Sequence, residues 1–364
     1  MTKKTVVIGM SGGVDSSVAA YLLKQQGYDV ISLFMKNWED DDTSSSCASQ
    51  KDYEDVLSTC QQLDTPCYSV NFAKEYKQLV FKHFLTSYEK GLTPNPDILC
   101  NKEIKFKLFF EKALSLGADF MATGHYCITK KGKLYKGKDE TKDQSYFLYS
   151  LKRSVLEKVL FPLGELKKSK VKEIAIEQNF IAATKKESMG ICFIGKKDFR
   201  PFLSRYLKTK QGPLMTLDGK VVGSHMGTSF YTLGQRKGLS IGGKGDAWFV
   251  ARKDIDKNII YVAQGKSHPS LYFDEIIATD ITFVDEKIET YPFVCTAKVR
   301  YRQEEQKCIV KKEKDNLLIT FEKPQRAPTP GQSIVFYKEN ECLGGGIITL
   351  CGPSYFERQK TLVT

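Results

Sequence analysis

The sequence predicts an α/β protein, with a parallel-sheet domain over residues 1–207, a small β-rich domain over 208–272 and a β-barrel-like domain over 273–364. At 364 residues, the chain is longer than a single hydrophobic core usually grows. Its first half alternates apolar strand segments with amphipathic helical segments, and its second half contains short alternating strands instead. Because βαβ alternation produces a parallel sheet covered by helices, we expect ligands beyond the carboxyl ends of the strands.

The individual elements follow from the spacing of apolar residues and from turn signals. In the first half, the predicted strands are 6–10, 29–35, 68–72 and 119–123, and the predicted helices are 17–26, 52–63, 74–89 and 103–116. After Leu207, tight turns are predicted at 218–219 and 314–316. The β-rich segments are 248–251, 259–263, 294–301, 308–310, 317–321 and 333–337. We divide them into two domains near Phe273 and expect both domains to hold a substrate.

The first predicted strand runs directly into a glycine-rich loop, SGGVDSS, at residues 11–17. Gly12 and Gly13 can take positive φ without a steric penalty, and Ser16 and Ser17 stand where we expect a helix N-cap. Gly27 is predicted to end this helix as a C-terminal glycine. A strand, a glycine turn and a helix N-terminus together form an anion site, because free backbone N–H groups and the helix dipole converge there. We expect the anion to be a phosphate.

The residues of this loop indicate which phosphate chemistry it supports. A kinase-type P-loop requires a lysine for the β and γ phosphates, and this loop has none. The nearest match, at 260–267, has Ile260 in place of the first glycine. Asp15 instead offers an acceptor for Mg²⁺ shared with phosphate oxygens. The arrangement resembles the ATP pyrophosphatase loop, whose enzymes split ATP between the α and β phosphates. The alternative is a tight turn without a ligand.

Two other strand ends belong to the same predicted edge of the sheet. Met35 closes the second strand, and Gly124 with His125 follows the strand at 119–123. Both ends are placed to meet an adenine or a ribose, since parallel strands end at one edge. Gly124 favours close approach of the backbone to a nucleotide because it has no Cβ. Met35 also fits an ordinary core position.

Charge and hydropathy limit the class of partner and the location. The net charge is +12 and the isoelectric point is about 9.0, with lysines clustered at 102–112, 130–142, 167–172 and 185–210. Clusters beside an ATP loop favour a nucleic-acid substrate, although each alone is typical of a solvated face. The longest apolar runs fall short of the roughly 18 residues of a membrane span. We therefore expect no membrane partner, no signal peptide and a cytoplasmic location.

The ten cysteines are scattered over a long chain and are expected to be mostly reduced. No C-x-x-C occurs, and the four histidines give little basis for a transition-metal site, so we expect neither zinc nor an iron–sulfur cluster. Two cysteines differ from the rest. Cys100 follows the proline-stiffened segment 93–99 and is close in sequence to lysines that favour a thiolate. Cys192 lies between Gly190 and Gly195. Either cysteine could equally be an inert buried thiol.

Taken together, several motifs identify a family. They are GMSGGVDSS, GLTPNPDILCNKEIKF, ATGHY, KDQSYFLY, SMGICFIG, TLGQRKGL and APTPGQSIVFY with CLGGG. In this order, from Lys4 to Gly352, they resemble the tRNA-specific 2-thiouridylase family. The resemblance implies an ATP pyrophosphatase-type catalytic domain at 1–207. It implies that ATP and Mg²⁺ are used to adenylate the C2 oxygen of the wobble uridine, that a cysteine persulfide then supplies sulfur, and that AMP and pyrophosphate are released.

The resemblance also implies roles for individual residues. ATP would be held by Gly9, Met10, Ser11, Gly12, Gly13, Val14, Asp15, Ser16, Met35 and Gly124. The target base would meet Asn95, Pro96 and Asp97, with the Asp97 carboxylate managing a proton. Cys192 would carry the persulfide and Cys100 would resolve it, leaving a disulfide between them. The tRNA would be contacted by His125, Lys142, Asp143, Gln144, Arg300, Tyr301 and Gln332. A cysteine desulfurase or a sulfur-relay protein would supply the persulfide.

Two other functions compete with this interpretation. A second kind of ATP pyrophosphatase, acting on a small metabolite, would need neither two distant cysteines nor basic β domains. A non-enzymatic RNA-binding protein would have no use for the SGGVDSS loop. Pyrophosphate release that depends on tRNA would separate the first alternative, and any consumption of ATP would exclude the second.

Overall fold

The N-terminal region forms a five-stranded parallel sheet. The computed structural model describes residues 3–39, 43–185, 199–285 and 290–362, and for residues 43–49 it describes the backbone alone. The strands are β1 (Thr5–Met10), β2 (Asp29–Lys36), β3 (Cys67–Asn71), β4 (Phe120–Ala122) and β7 (Val159–Leu160). Their order is β3-β2-β1-β4-β7, and every pairing is parallel. This confirms the predicted parallel-sheet domain and places the carboxyl end of β1 at the centre of one edge.

Helices cover both faces of this sheet. The described helices of the chain are α1 (Val14–Gln25), α2 (Thr43–Gln62), α3 (Ala73–Tyr76), α4 (Lys82–Glu89), α5 (Pro96–Leu99), α6 (Phe110–Ser115), α7 (Arg153–Leu156), α8 (Lys168–Glu177) and α9 (Phe199–Ser204). A π-helical turn, Lys77–Phe81, joins α3 to α4, and another, Cys100–Phe109, joins α5 to α6. One core contains Val18 and Leu23 of α1, and a second core contains Phe109 beneath the opposite face. Among the described helices, none is long and apolar enough to cross a membrane.

Several helices begin before the predicted positions; α2, for example, begins at Thr43 rather than at residue 52. The N-cap of α1 is Gly13, which is extended and makes no side-chain cap hydrogen bond, so the prediction that Ser16 or Ser17 caps this helix was wrong. The predicted C-terminal glycine is confirmed, since Gly27 has a φ of +86°. The segment 96–99 was predicted as loop but is helical. Asn95 caps it and Pro96 occupies its first turn, a start signal that the sequence contains.

The central β domain packs directly on the helices that follow β3. Its strands are β8 (Gly212–Thr216), β9 (Val221–His225), β10 (Trp248–Asp254) and β11 (Ile259–Gln264), in the order β10-β11-β8-β9. The predicted turn at 218–219 is confirmed, because β8 and β9 pair antiparallel around it. Phe84 and Ile104 share one buried cluster with Leu214, Phe230 and Val262. This shared core joins the central domain firmly to the N-terminal domain.

The C-terminal strands form a closed barrel. They are β12 (Tyr272–Phe283), β13 (Phe293–Lys298), β14 (Gln306–Glu313), β15 (Asn316–Arg326), β16 (Ser333–Lys338) and β17 (Glu341–Cys351). Pairing of β12 with both β15 and β17 closes the ring, and the predicted turn at 314–316 joins β14 to β15. The two β-rich domains are thus confirmed. Their exact boundaries, at 207 and 272, stay predictions.

A hairpin from the N-terminal region extends the barrel sheet, and sequence analysis missed it. It consists of β5 (Cys127–Lys130) and β6 (Lys133–Lys136), and β6 pairs with β17. Its turn residues, Lys131 and Gly132, both have positive φ. A two-residue turn of this kind favours glycine, which was the available signal. The hairpin links the C-terminal barrel to the segment that follows β4.

Candidate active site

The SGGVDSS loop lies at the carboxyl end of β1 and is held by its own serines. The backbone N–H of Ser11 donates to Ser16 Oγ at 3.2 Å, and the Ser16 and Ser17 hydroxyls each donate to the Gly13 carbonyl at 3.1 Å. Gly12 has a φ of +69°, and a Cβ there would lie 2.5 Å from the Asp52 carbonyl oxygen. Glycine is therefore required at position 12 both for its backbone conformation and for the close approach of α2.

Two lysines from distant parts of the sequence reach this loop. Lys168 Nζ donates to Asp15 Oδ1 at 2.6 Å, and the Tyr126 hydroxyl donates to the same oxygen at 2.6 Å. Lys185 Nζ donates to the Gly12 carbonyl at 3.1 Å. The loop has no lysine of its own, but the folded chain brings two ammonium groups to it. Sequence reasoning missed both, because neither lies near the loop in sequence.

Lys185 also fastens α2 to the loop. Its Nζ donates to Asp52 Oδ1 at 2.6 Å and to Asp55 Oδ2 at 2.7 Å. Burial lowers the pKa of Lys185, but the hydrogen bonds and charges of the two carboxylates outweigh burial, so its pKa is raised overall. The lysine stays protonated, and the loop, α2 and the segment ending at 185 are held as one unit.

The remaining predicted ATP residues surround the same edge of the sheet. A Cβ on Gly124 would lie 3.1 Å from the Asp15 carbonyl carbon, and a Cβ on Gly9 would lie 3.3 Å from Phe109 Cζ. Met10 is buried, whereas Met35 is partly buried between two core clusters. The protein's own packing therefore accounts for glycine at 9 and 124. The contacts predicted between these residues and ATP stay predictions.

The segment after β4 forms a mostly buried polar network. His125 is only 9% exposed, and its Nδ1 lies 2.7 Å from Thr123 Oγ1. Burial, with the nearby Lys105 charge, holds the pKa of His125 well below its usual value, so the ring is neutral. Gln144 Oε1 accepts from the Tyr126 backbone N–H at 3.0 Å.

Asp143 completes this network from the next turn. Its Oδ1 accepts from the backbone N–H groups of Gly137 and Ser145, both at 3.1 Å. Burial raises the pKa of Asp143, and these hydrogen bonds oppose that rise. Lys142, beside it, is half-buried. The tRNA contacts predicted for residues 125 and 142–144 stay predictions, and the observed contacts are internal to the protein.

The segment 93–100 leads from a helix cap to a buried thiol. Asn95 Oδ1 accepts from the Asp97 backbone N–H at 3.2 Å, with Pro96 in the first turn of α5. Burial raises the pKa of Asp97, while the Lys105 charge lowers it to a smaller extent. Cys100 is 2% exposed and begins the π-helical turn. Cys192 lies outside the described residues, so its approach to Cys100 stays a prediction.

The C-terminal residues predicted to contact tRNA join domains to one another. Arg300 Nη2 donates to the carbonyls of Leu233 at 3.0 Å and Ala327 at 2.6 Å, which ties the central domain to the barrel. Burial lowers the pKa of Arg300. The Tyr301 ring lies 4.3 Å from the Phe147 ring, centroid to centroid. Gln332 Nε2 donates to the Thr93 carbonyl at 2.7 Å, immediately before the predicted base-binding residues. Their contacts with tRNA stay predictions.

Potential metal ligands are sparse in the described parts of the chain. There, no group of three or more His, Cys, Asp or Glu side chains is arranged to hold a metal ion. Asp15 offers a single carboxylate, 37% exposed, in the first turn of α1. One carboxylate together with substrate phosphates is the usual protein share of a Mg²⁺ site. The donor set therefore fits a Mg²⁺ ion that arrives with a nucleotide.

Lys253 of β10 is a half-buried cation that the sequence analysis did not single out. Its Nζ donates to the Gly91 carbonyl at 2.5 Å and to the Tyr231 carbonyl at 3.0 Å. Burial lowers the pKa of this lysine to about 8. The charged form is thus less stable in the folded protein than in the unfolded chain.

We expect this residue to make stability depend on pH. Between about 8 and the ordinary value of 10.5, the unfolded chain binds more protons at Lys253 than the folded chain does. As pH rises through this window, the unfolding free energy of the wild type should increase by about 3 kcal/mol relative to Lys253→Met. Denaturant unfolding of both proteins at a series of pH values measures the difference. If the difference in unfolding free energy between the two proteins is constant with pH, the lowered pKa of Lys253 is contradicted.

Comparisons with known proteins agree on the family of this chain. Family models match the chain in three successive segments. They are described as tRNA methyl transferase HUP domain at 4–196, tRNA methyl transferase PRC-barrel domain at 200–264, and aminomethyltransferase beta-barrel domain at 273–348. The three segments follow the parallel-sheet region, the central β domain and the barrel.

Curated relatives match nearly the whole chain. The tRNA-specific 2-thiouridylase MnmA of Protochlamydia amoebophila is 56% identical over 99% of this chain and 97% of its own length. The proteins of the same name from Bacillus subtilis and Staphylococcus aureus are 55% and 53% identical, over 94% of this chain and 94% of their own lengths. With the glycine loop at the end of β1 and the 93–100 segment in place, this chain belongs to the tRNA-specific 2-thiouridylase family and is a tRNA sulfurtransferase.

Proposed function

We propose that the protein uses ATP to replace the C2 oxygen of the wobble uridine of tRNA with sulfur, releasing AMP and pyrophosphate. One observation carries this proposal. The helix that begins at Pro96 and contains Cys100 packs on the carboxyl ends of β1 and β4, through Phe109 against Gly9 and Phe106 against His125. The helix that follows the predicted base-binding residues 95–97 therefore reaches the same edge of the sheet as the glycine loop, which supports transfer between a nucleotide and a base.

In the first half-reaction, the uridine C2 oxygen attacks the α phosphorus of ATP and pyrophosphate leaves. The loop at 11–16 would bind the phosphates through its N–H groups, with Lys168 and Lys185 close by. Asp15 would hold Mg²⁺ together with phosphate oxygens, and the ion would neutralise charge on the leaving pyrophosphate. Asp97, whose pKa burial raises, would exchange a proton with the uracil edge.

In the second half-reaction, sulfur replaces the activated oxygen. The terminal sulfur of a persulfide on Cys192 would attack C2 and displace AMP, because uracil oxygen leaves only when AMP is attached. The Cys100 thiolate would then attack the Cys192 sulfur, which breaks the bond to the transferred sulfur. The thiocarbonyl remains on the uridine and a Cys100–Cys192 disulfide forms. A cysteine desulfurase or a sulfur-relay protein would reload Cys192 after reduction of this disulfide.

The net charge of +12 supports tRNA as the polyanionic substrate. Mass spectrometry of tRNA from cells that lack this protein should show the loss of 2-thiouridine at the wobble position. Expression of the intact protein should restore the modified nucleoside. If 2-thiouridine persists while a methylated nucleoside disappears, the reaction named in the family description would replace the one proposed here.

A further inference from the structure

The chain that leads into the predicted base-binding segment, residues 95–97, is held by both β domains. We call residues 88–93 the stem. In the stem, the Tyr88 carbonyl accepts from the Ser229 hydroxyl at 2.9 Å, and the Gly91 carbonyl accepts from Lys253 Nζ at 2.5 Å. Both donors belong to the central domain. Tyr88 lies in the last turn of α4, where its carbonyl also accepts from the Gly91 backbone N–H at 2.9 Å, so the central domain holds the end of this helix.

The C-terminal barrel holds the end of the same stem. The Thr93 backbone N–H donates to the Pro330 carbonyl at 3.0 Å, and Gln332 Nε2 donates to the Thr93 carbonyl at 2.7 Å. The Thr93 side chain adds a hydroxyl contact of 3.3 Å with Thr232 of the central domain. The barrel thus binds both the N–H and the carbonyl group of Thr93. These hydrogen bonds fix the peptide planes on either side of this residue.

The two β domains lie close to the stem at two glycines. Gly91 has a φ of +71°, and a Cβ there would clash with Ile255 Cδ1 of the central domain. Gly331 has a φ of +93°, and a Cβ there would lie 2.8 Å from the Thr93 nitrogen. A side chain at Gly331 would meet the backbone of the stem itself, whereas at Gly91 the positive φ disfavours a side chain and the Ile255 side chain would have to move. The fold therefore brings both β domains into close contact with the stem.

The stem ends two residues before the cap of the helix that carries the chemistry. Asn95 caps α5, and the helix continues through Asp97 to Cys100 without a break. A rotation at Thr93 would therefore move the cap, the carboxylate and the thiol together. A misplacement of about 1 Å at reacting groups can cost a factor of 100 in rate.

We propose that Lys253 and Gln332 are positioning residues, through which the central domain and the barrel set the orientation of the base-binding segment. The inference rests on the proposed function, because it assigns Asp97 and Cys100 to the reaction. It gives the two β domains a role in the chemical step besides binding of tRNA. Neither residue needs to touch the substrate.

The test compares turnover with tRNA affinity in the full-length protein. Lys253→Met and Gln332→Ala each remove a donor to the stem and should lower kcat for thiolation by about tenfold, with the Kd for tRNA within about twofold of wild type. Gln332→Glu keeps the side-chain size but directs a carboxylate at the Thr93 carbonyl, so its kcat should fall further. If Lys253→Met does not fold, the two Gln332 variants carry the test.

Lys257→Met is the matched control, since this lysine is on the same domain, 71% exposed, and pairs with Asp254. Its kcat and Kd should equal those of wild type. An increase in Kd with unchanged kcat at saturating tRNA would mean that Gln332 contacts the tRNA directly, and would overturn the positioning role. Unchanged values for both quantities would also overturn it. A wild-type protein that forms no 2-thiouridine in the same assay would count against the proposed function instead.

Discussion

Replacing Cys192 by serine is expected to leave adenylation of tRNA intact and to abolish sulfur incorporation. Serine cannot carry a persulfide, whereas formation of the adenylate does not involve the Cys192 thiol. Pyrophosphate release should therefore continue for a single turnover on each tRNA, and labelled sulfur should not enter the uridine. Incubation with labelled persulfide donor, ATP and tRNA, followed by nucleoside analysis, measures both steps.

Cys100→Ser should also stop multiple turnover, because nothing would then break the bond between Cys192 and the transferred sulfur. Cys295→Ser is the control. Its thiol lies in the barrel core, 3.6 Å from Cys308 Sγ, and the hydrogen bond to Cys308 and burial both raise its pKa. It should thiolate tRNA as wild type does. Full thiolation by Cys192→Ser would remove the central step of the proposed mechanism.

Replacing Asp15 by alanine should lower turnover by at least about 100-fold, since a metal ion bound at phosphate oxygens contributes several kcal/mol to such a step. The structure adds a second reason. Asp15 Oδ1 accepts hydrogen bonds from Lys168 and Tyr126, so its loss also removes one partner of an ammonium group beside the loop. Asp15→Asn keeps an acceptor for Tyr126 but removes the charge. It should be nearly as inactive if charge is what the step requires.

The products identify the bond that is cleaved. Without a loop lysine for the γ phosphate, wild-type protein should yield AMP and pyrophosphate, which anion-exchange separation of labelled nucleotides resolves. Glu177→Ala is the control, because this carboxylate is at the far end of α8 and 60% exposed. It should turn over at the wild-type rate. Release of ADP and phosphate by wild type would contradict the ATP pyrophosphatase chemistry.

Local sequence patterns were sufficient for four of the five strands of the parallel sheet and for the position of the glycine loop, whereas β7 (Val159–Leu160) was not predicted. The strand predicted at 29–35 is observed at Asp29–Lys36, and the strand predicted at 68–72 is observed at Cys67–Asn71. The first of these strands is mostly buried or half-buried, so its apolar composition identifies it, whereas β3 is an edge strand whose residues are half-buried or exposed. The start of α1 was wrong, since serine at 16 and 17 suggested a cap while Gly13 provides it. Backbone geometry overrode side-chain preference at that point.

By itself, the sequence determined the order of the domains, the position of the glycine-rich loop and the family, because these depend on residues that are close together in the chain. Tertiary structure alone decided that Lys168 and Lys185 reach that loop, and that Lys253 and Gln332 hold the stem. The sequence separations are large, for example 239 positions between Gln332 and Thr93. The spacing of apolar residues indicates which face of a helix or strand is buried, but it does not indicate which distant element covers that face.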